Sequence, residues 1–180
     1  MLKNLIKNQT PLAICDIGAS PCDPTPHIEE LLNNTRSFLY GFEPNEDEFN
    51  KLKALELKGN REFFKDAIGD GLEHFLNICA YPGWTSFLEA DTNYISKFHN
   101  FENASKIIKK SLLKTKKLDD IDFKNSIDFF KIDAQGYESV IIENGLKKIS
   151  DALVVQLELS PVPIYKNEKN FSYVSKLMED

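Results

Sequence analysis

Three short apolar runs constrain this chain more than anything else in it. They are Cys15-Asp16-Ile17-Gly18-Ala19, Gly41-Phe42-Glu43-Pro44 and the stretch from Asp128 to Glu138, DFFKIDAQGYE. Each carries an acidic residue or a small-residue turn at its end. The carboxyl ends of parallel strands look like this where they line a ligand crevice in an open α/β sheet. Packing alone is a poor reason for three such ends in one small chain, so they point to a nucleotide-like ligand. The 180 residues are enough for one domain with a real core, and residues 1–180 are expected to form one.

The rest of the pattern alternates strand with helix. Strands are expected over Leu12 to Asp16, Ser37 to Glu43, Glu62 to Ala67, Ile127 to Asp133 and Ala152 to Leu159, the last nearly all apolar, as a sheet interior requires. Thr25 as N-cap and Pro26 at the first helical position start a helix that runs through about Leu32. Asn45 with Glu48 has the form of a capping box. Phe49, Leu52 and Leu55 share a face of that second helix, and Gly59 closes it. From Leu72 to about Asn103 the chain is irregular and aromatic-rich, reading as loops or a small hairpin. Lys106 to Leu118 reads as extended and carries six lysines, which make a solvated face or an attractor for an anionic substrate. Helices are expected over Glu138 to Gly145 and Asn170 to Met178. Alternation of this kind predicts an α/β fold with a mostly parallel sheet and right-handed crossovers.

Each strand end offers chemistry beside a plainer reading. Gly18 and Ala19 follow the first strand, where a glycine lets the backbone approach a ligand or simply makes a tight turn. The three-glycine dinucleotide motif is absent, with Ser20-Pro21-Cys22 in its place. Glu43 can accept both ribose hydroxyls of an adenosine, or it merely precedes Pro44 in a surface turn. Asp66 can accept from an adenine amino group while Ala67 and Ile68 pack on the ring, and an ordinary turn is an equally good reading. Asp133 ends the strand beside the first one and can act as a base, hold an amino group or ligate a metal. Glu138 and Glu158 can converge near it, and paired carboxylates suit acid/base work because each raises the other's pKa. Glu158 also reads as a strand-end solvent contact. His27, near the first helix, can reach the crevice, whereas His74 and His99 read as surface or core residues.

Composition excludes several classes. With 22 basic against 28 acidic groups the net charge is −6, which argues against broad nucleic-acid binding. Cys15, Cys22 and Cys79 are scattered, odd in number and without metal-ligand spacing, so a reducing compartment is favoured over a disulfide framework. Met1 to Lys7 lacks the long apolar core of a signal peptide, and no run approaches a membrane span. A soluble, cytoplasmic protein is the expectation.

Seven segments occur in an order that resembles FkbM-type methyltransferases: Asp16 to Ser20, Gly41 to Pro44, Asp66 to Asp70, Tyr81 to Ser86, Leu118 to Asp120, Asp128 to Gly136 and Glu158 to Tyr165. The similarity runs from about Pro11 to the end. It implies a Rossmann-like class I sheet and an S-adenosyl-L-methionine-dependent O-methyltransferase. The acceptor it implies is a small molecule or glycan, with the methyl going to a hydroxyl of a sugar, glycan or secondary metabolite. Carried over by position, Asp16, Gly18 and Ala19, with Ser20 beside them, would approach the methionine part. Glu43 and Pro44 would hold the ribose, Asp66 and Ala67 the adenine, and Asp133 would sit beside donor and acceptor. At Ser20-Pro21-Cys22-Asp23 the chain departs from the family pattern, which usually has an asparagine and another glycine there.

The family's sheet has the order 3-2-1-4-5-7-6, and this chain stops after the helix that follows the fifth strand. Its C-terminal strands six and seven are therefore expected to be lacking. Asp133 leads as proton acceptor, followed by Glu138, Glu158 or His27. Two other classes remain open: a non-catalytic, truncated methyltransferase-like cofactor-binding or interaction module, and a nicotinamide-dependent oxidoreductase, against which the missing glycine motif argues. An apolar fifth strand with one edge unpartnered predicts a homodimer through that edge or aggregation, unless Asn170 to Asp180 folds back over it.

Overall fold

A computed structural model of the chain describes residues 11–21 and 25–179. The readings placed on Met1 to Lys7 and on Cys22 to Pro24 lie outside the described residues.

The first half alternates β1 (Ala13–Ile17), α1 (Pro26–Asn34), β2 (Phe38–Phe42), α2 (Glu46–Ala54) and β3 (Asn60–Phe64). Then come β4 (Glu73–Cys79), the short helices α3 (Thr92–Ile95) and α4 (Phe101–Ala104), and β5 (Ile107–Lys114). The chain closes with β6 (Phe129–Ile132), α5 (Glu138–Glu143), α6 (Leu146–Ile149), β7 (Val154–Leu157) and α7 (Phe171–Leu177). Five strands form one parallel sheet in the order β3-β2-β1-β6-β7, and β4 with β5 makes a separate antiparallel ribbon.

β1 is buried along its whole length, as the centre of a parallel sheet with both faces covered must be. Its side chains alternate between two cores. Ala13, Cys15 and Ile17 join Tyr40, Phe42, Phe130, Ile132 and the Ile141–Ile142 pair of α5, while Ile14 packs with Leu39, Phe129 and Ile28 and Leu32 of α1. Burying a side chain of this size contributes about 1.5–3 kcal/mol. The register sets Asp16 beside Gly41 on one neighbour and Lys131 on the other. Asn45 caps α2, accepting the Asp47 N–H at 3.2 Å, but the capping box expected with Glu48 is replaced, since the Asn45 N–H donates to Glu43 at 2.6 Å.

Several sequence expectations are corrected. The strands six and seven that were expected to be lacking give way to seven strands among the described residues, whose sixth and seventh, β6 and β7, extend the parallel sheet outward from β1. The five-strand reading missed β4, which lies in the stretch taken as irregular and pairs with the lysine-rich β5 across 27 residues of intervening chain, 80–106. The third strand ends at Phe64, so Asp66 stands two residues beyond it rather than on it. α2 stops at Ala54, well short of Gly59, and Gly59 turns the chain at φ +88° into β3. Thr25 occupies the N-cap of α1 without a side-chain cap bond. The fifth expected strand, apolar as for an interior yet left with one unpartnered edge, is β7 at the sheet's edge, and it covers only Val154–Leu157, with Leu153 75% exposed and Val154 51%. A run that is apolar throughout reads as interior whether or not a second neighbour exists, and only the pairing distinguishes the two. The closing helix α7 packs on α5 with Val174 buried. No helix among the described residues is long and apolar enough to cross a membrane.

Candidate active site

The carboxyl ends of β1, β2 and β6 open into a crevice of about 860 Å³, counting the space that communicates with solvent. Gly18, Ser20, Glu43, Pro44, Asp66 and Asp133 line it, together with apolar Ile68, Leu76 and Phe87 and the loop from Tyr81 to Ser86.

The loops after β1 and β6 are interlocked at Gly18. The Gly18 and Ala19 N–H groups both donate to the Phe42 carbonyl at 3.0 Å. At φ +86°, the Gly18 α-carbon lies so close to the Asp133 carbonyl that a Cβ would stand 1.8 Å from its oxygen. The glycine is thus required by the approach of Asp133, a partner 115 residues away in sequence, as well as by the turn.

Below the crevice floor a buried cation joins two strands. The Lys131 ammonium lies 3.3 Å from Asp16 and 3.2 Å from Asp133, with only 7% of the lysine side chain exposed. Burial works against the charged ammonium, but the Asp16 and Asp133 carboxylates outweigh it and hold Lys131 above its ordinary value. Removing either partner of such a pair is costlier than the pair is stabilising.

Gln135 organises the rim. It has left-handed backbone at φ 53°, uncommon for a residue with a β-carbon. Its amide nitrogen donates to Asp133 Oδ1 at 2.9 Å and to Glu158 Oε2 at 3.2 Å. The Tyr165 hydroxyl donates to its Oε1 at 2.9 Å, and the Ser86 hydroxyl to its carbonyl at 2.7 Å. Burial raises the Tyr165 phenol well above its ordinary value, which keeps it a donor. Tyr165 reaches this point because its strand-like segment bridges Ala90 and the Asp91 N–H donates to Ile164.

The charges at the rim are unequal. Glu158 is pushed up to about 8, first by its hydrogen bond to Asp133 and then by burial. Burial also pushes the Asp133 carboxyl up, but the bonds from Glu158, Lys131 and Gln135 outweigh it and leave Asp133 below the usual carboxylate range. Glu158 therefore holds a proton more tightly than Asp133 does. Glu43 is pushed up to about 8 by burial, with Glu48, Asp16 and Asp133 adding like charge against a single backbone bond from Asn45 at 2.6 Å.

The remaining sequence candidates fall elsewhere. Asp16 sits behind the crevice against Lys131, and Ala19 and Ala67 are buried beside the lining residues rather than among them. Asp66 lines the crevice but pairs with Lys116 at 2.8 Å. Glu138, pushed up to about 7 by burial, turns inward and accepts the Ala134 and Gly136 N–H groups at 2.8 and 3.2 Å, bracing the turn after β6. His27 lies outside the crevice lining, stacked on Phe129 and bonded to Gln156 at 2.7 Å. Lys131, Gln135, Ser86 and Tyr165 carry the site's bonding; the sequence reading placed them in segments that resemble the family but gave none of them a role in the site. For Lys131 a signal existed: a lone cation inside the apolar run FFKI, two residues before Asp133 and hence on the same strand face.

A parallel five-stranded α/β sheet with an acidic crevice at the strands' carboxyl ends is consistent with a Rossmann-like methyltransferase fold. The model of the methyltransferase FkbM domain matches residues 16–180, and the chain belongs to that family. Membership supports methyl transfer as its chemistry and implies a methyl donor. Neither a search of curated proteins nor one of solved structures found a match.

Proposed function

We propose that this chain is an S-adenosylmethionine-dependent O-methyltransferase in which the Asp133–Glu158 pair takes the proton from an acceptor hydroxyl. The observation that carries the proposal is this pair of carboxylates bridged by the Gln135 amide, with Asp133 on the crevice. The donor set suits the cofactor. Glu43 spends one oxygen on the Asn45 N–H, and its other can accept from a ribose diol. Ile68, Leu76 and Phe87 offer apolar surface for a base. When bound, S-adenosylmethionine supplies a sulfonium methyl group to a nucleophile. The chain's own contribution is alignment and removal of one proton. Calorimetry with S-adenosylhomocysteine and with NAD tests the reading: heat from the first alone supports it, and binding of NAD alone, or of neither, would sink it.

Turnover should rise with pH. At neutral pH Glu158 holds a proton, and as pH passes about 8 the pair loses it and becomes a stronger base. Glu158→Gln removes that titration. Methyl transfer from a radiolabelled donor to a panel of hydroxyl-bearing acceptors should climb through pH 8 in the wild type and stay flat in the variant. A variant with the same climb would exclude Glu158 from the titrating pair.

Glu43 should trade stability for binding. In the folded chain its carboxyl keeps a proton up to about pH 8, whereas in the unfolded chain it loses it near the ordinary 4.5. The unfolded state therefore binds fewer protons between these values, and stability falls as pH rises through that window. Glu43→Gln removes this slope and should stabilise the ligand-free protein by about 2–4 kcal/mol at pH 9. Glu43→Ala should weaken S-adenosylmethionine binding by about 1–3 kcal/mol through the lost hydroxyl partner. Denaturation across the pH range and calorimetry read the two effects separately, and unchanged affinity would remove the ribose role.

A further inference from the structure

The Gln135 amide bridges Asp133 and Glu158 in only one of its two orientations. Its nitrogen donates to Asp133 Oδ1 at 2.9 Å and to Glu158 Oε2 at 3.2 Å. Turned over, the group would aim its oxygen at the ionised Asp133 carboxylate, acceptor against acceptor. The two ends of an amide have nearly the same shape, so packing alone does not choose between them. A donor on the far side does. The Tyr165 hydroxyl donates to Gln135 Oε1 at 2.9 Å, and burial keeps that phenol protonated.

Tyr165 is itself anchored from outside the sheet. Its ring is buried against Gly136, where a β-carbon would stand 2.9 Å from Cδ2, and lies 5.7 Å from the Trp84 ring. Its own N–H and that of Ile164 donate to Glu168 Oε2 at 2.9 and 2.7 Å. The segment after β7 thus presents one hydroxyl at a set place, while Ser86 holds the Gln135 carbonyl at 2.7 Å.

We propose that Tyr165 is a positioning residue: by donating to Gln135 Oε1, it keeps the amide nitrogen turned toward Asp133 and Glu158. The inference rests on the reading of those carboxylates as the proton acceptor. The amide hydrogens favour the ionised form of each acid, so without them both hold protons more tightly. The other ionisable groups around them are Lys131 and Asp16 behind, Glu43 and Glu138 beside, and Cys79 and Glu168 near the Tyr165 ring. Removing one hydroxyl leaves all six in place.

Tyr165→Phe removes that oxygen and keeps the ring. Carbon-13 carboxyl NMR of the ligand-free chain should show the titration of Asp133 and Glu158 moved up by roughly 0.5–1 pH unit, the worth of one hydrogen bond. Gln135→Met should move it at least as far. Adding Tyr165→Phe to that variant should move it no further, because the hydroxyl acts through the amide. A purely structural Tyr165 would lower the thermal midpoint and leave the titration alone. An unmoved titration in folded Tyr165→Phe overturns the proposal, as does a further shift in the Gln135→Met background. The wild type gives a check that survives a misfolded variant: the Gln135 side-chain N–H resonances should follow the carboxyl titration, and resonances that ignore it overturn the proposal too. None of these readouts needs donor or acceptor. A chain that shows the shifts but transfers no methyl group keeps the role of Tyr165 and loses the methyl-transfer reading, and the reverse result loses only Tyr165.

Discussion

Asp133→Asn is expected to lower methyl transfer by about 10²–10⁴-fold, the usual worth of a positioned acid or base, while the thermal midpoint moves by only a few degrees. The variant keeps its fold for a reason visible around Lys131. That buried ammonium retains Asp16 at 3.3 Å, so no cation is left alone in the interior. Asparagine is nearly isosteric and can turn its one oxygen to the Lys131 ammonium, which lies 3.2 Å from Asp133 Oδ2, giving up the bond from the Gln135 amide to Oδ1. What it loses is the ionised oxygen able to take a proton. Affinity for S-adenosylhomocysteine, measured beside turnover, separates chemistry from binding: the first should collapse while the second changes little. Full activity of the variant on a working acceptor would move the proton-acceptor role to another residue.

Gly18→Ala is expected to destabilise the chain by about 2–4 kcal/mol. Left-handed backbone costs a β-carbon about 1–2 kcal/mol, and forcing an atom into packed backbone adds roughly 1–3 kcal/mol more. The added methyl meets the Asp133 carbonyl oxygen at 1.8 Å, so one of the two loops must move. Because that carbonyl belongs to the residue carrying the proposed base, activity should fall by more than the loss of folded protein explains. Chemical denaturation gives the stability, and specific activity corrected for folded fraction gives the second effect. An alanine variant as stable as the wild type would contradict the close approach.

Both predictions depend on the joining of two loops far apart in sequence, and this divides what the chain's local pattern reveals from what it does not. The apolar runs before Asp16, Glu43 and Asp133 show in the sequence because a doubly covered parallel strand needs an unbroken hydrophobic stretch, and its polar end then stands out. The helices α1 and α2 show for a similarly local reason, Pro26 at a first helical position and Asn45 at an N-cap. These signals sufficed for the fold class and for the residues that line the crevice at Gly18, Glu43 and Asp133.

Other features had no local signature. β4 alternates poorly because one end of its outer face is covered and the other open, as buried Asn77 and exposed Phe75 attest, and its partner lies beyond an aromatic-rich excursion. Glu138 and Glu158 look alike in sequence. Only the turn after β6 aims Glu138 inward at backbone amides, and only the Gln135 amide, locked by Tyr165 and Ser86, brings Glu158 to Asp133. Likewise, one register between β1 and β6 sets Lys131 across from Asp16. The sequence by itself determined which residues end the strands, because burial and turn chemistry act within a few neighbours. The tertiary structure decided which of those ends share the Gln135 amide or the Lys131 cation, because that depends on distances of about 3 Å between groups that chain connectivity leaves far apart.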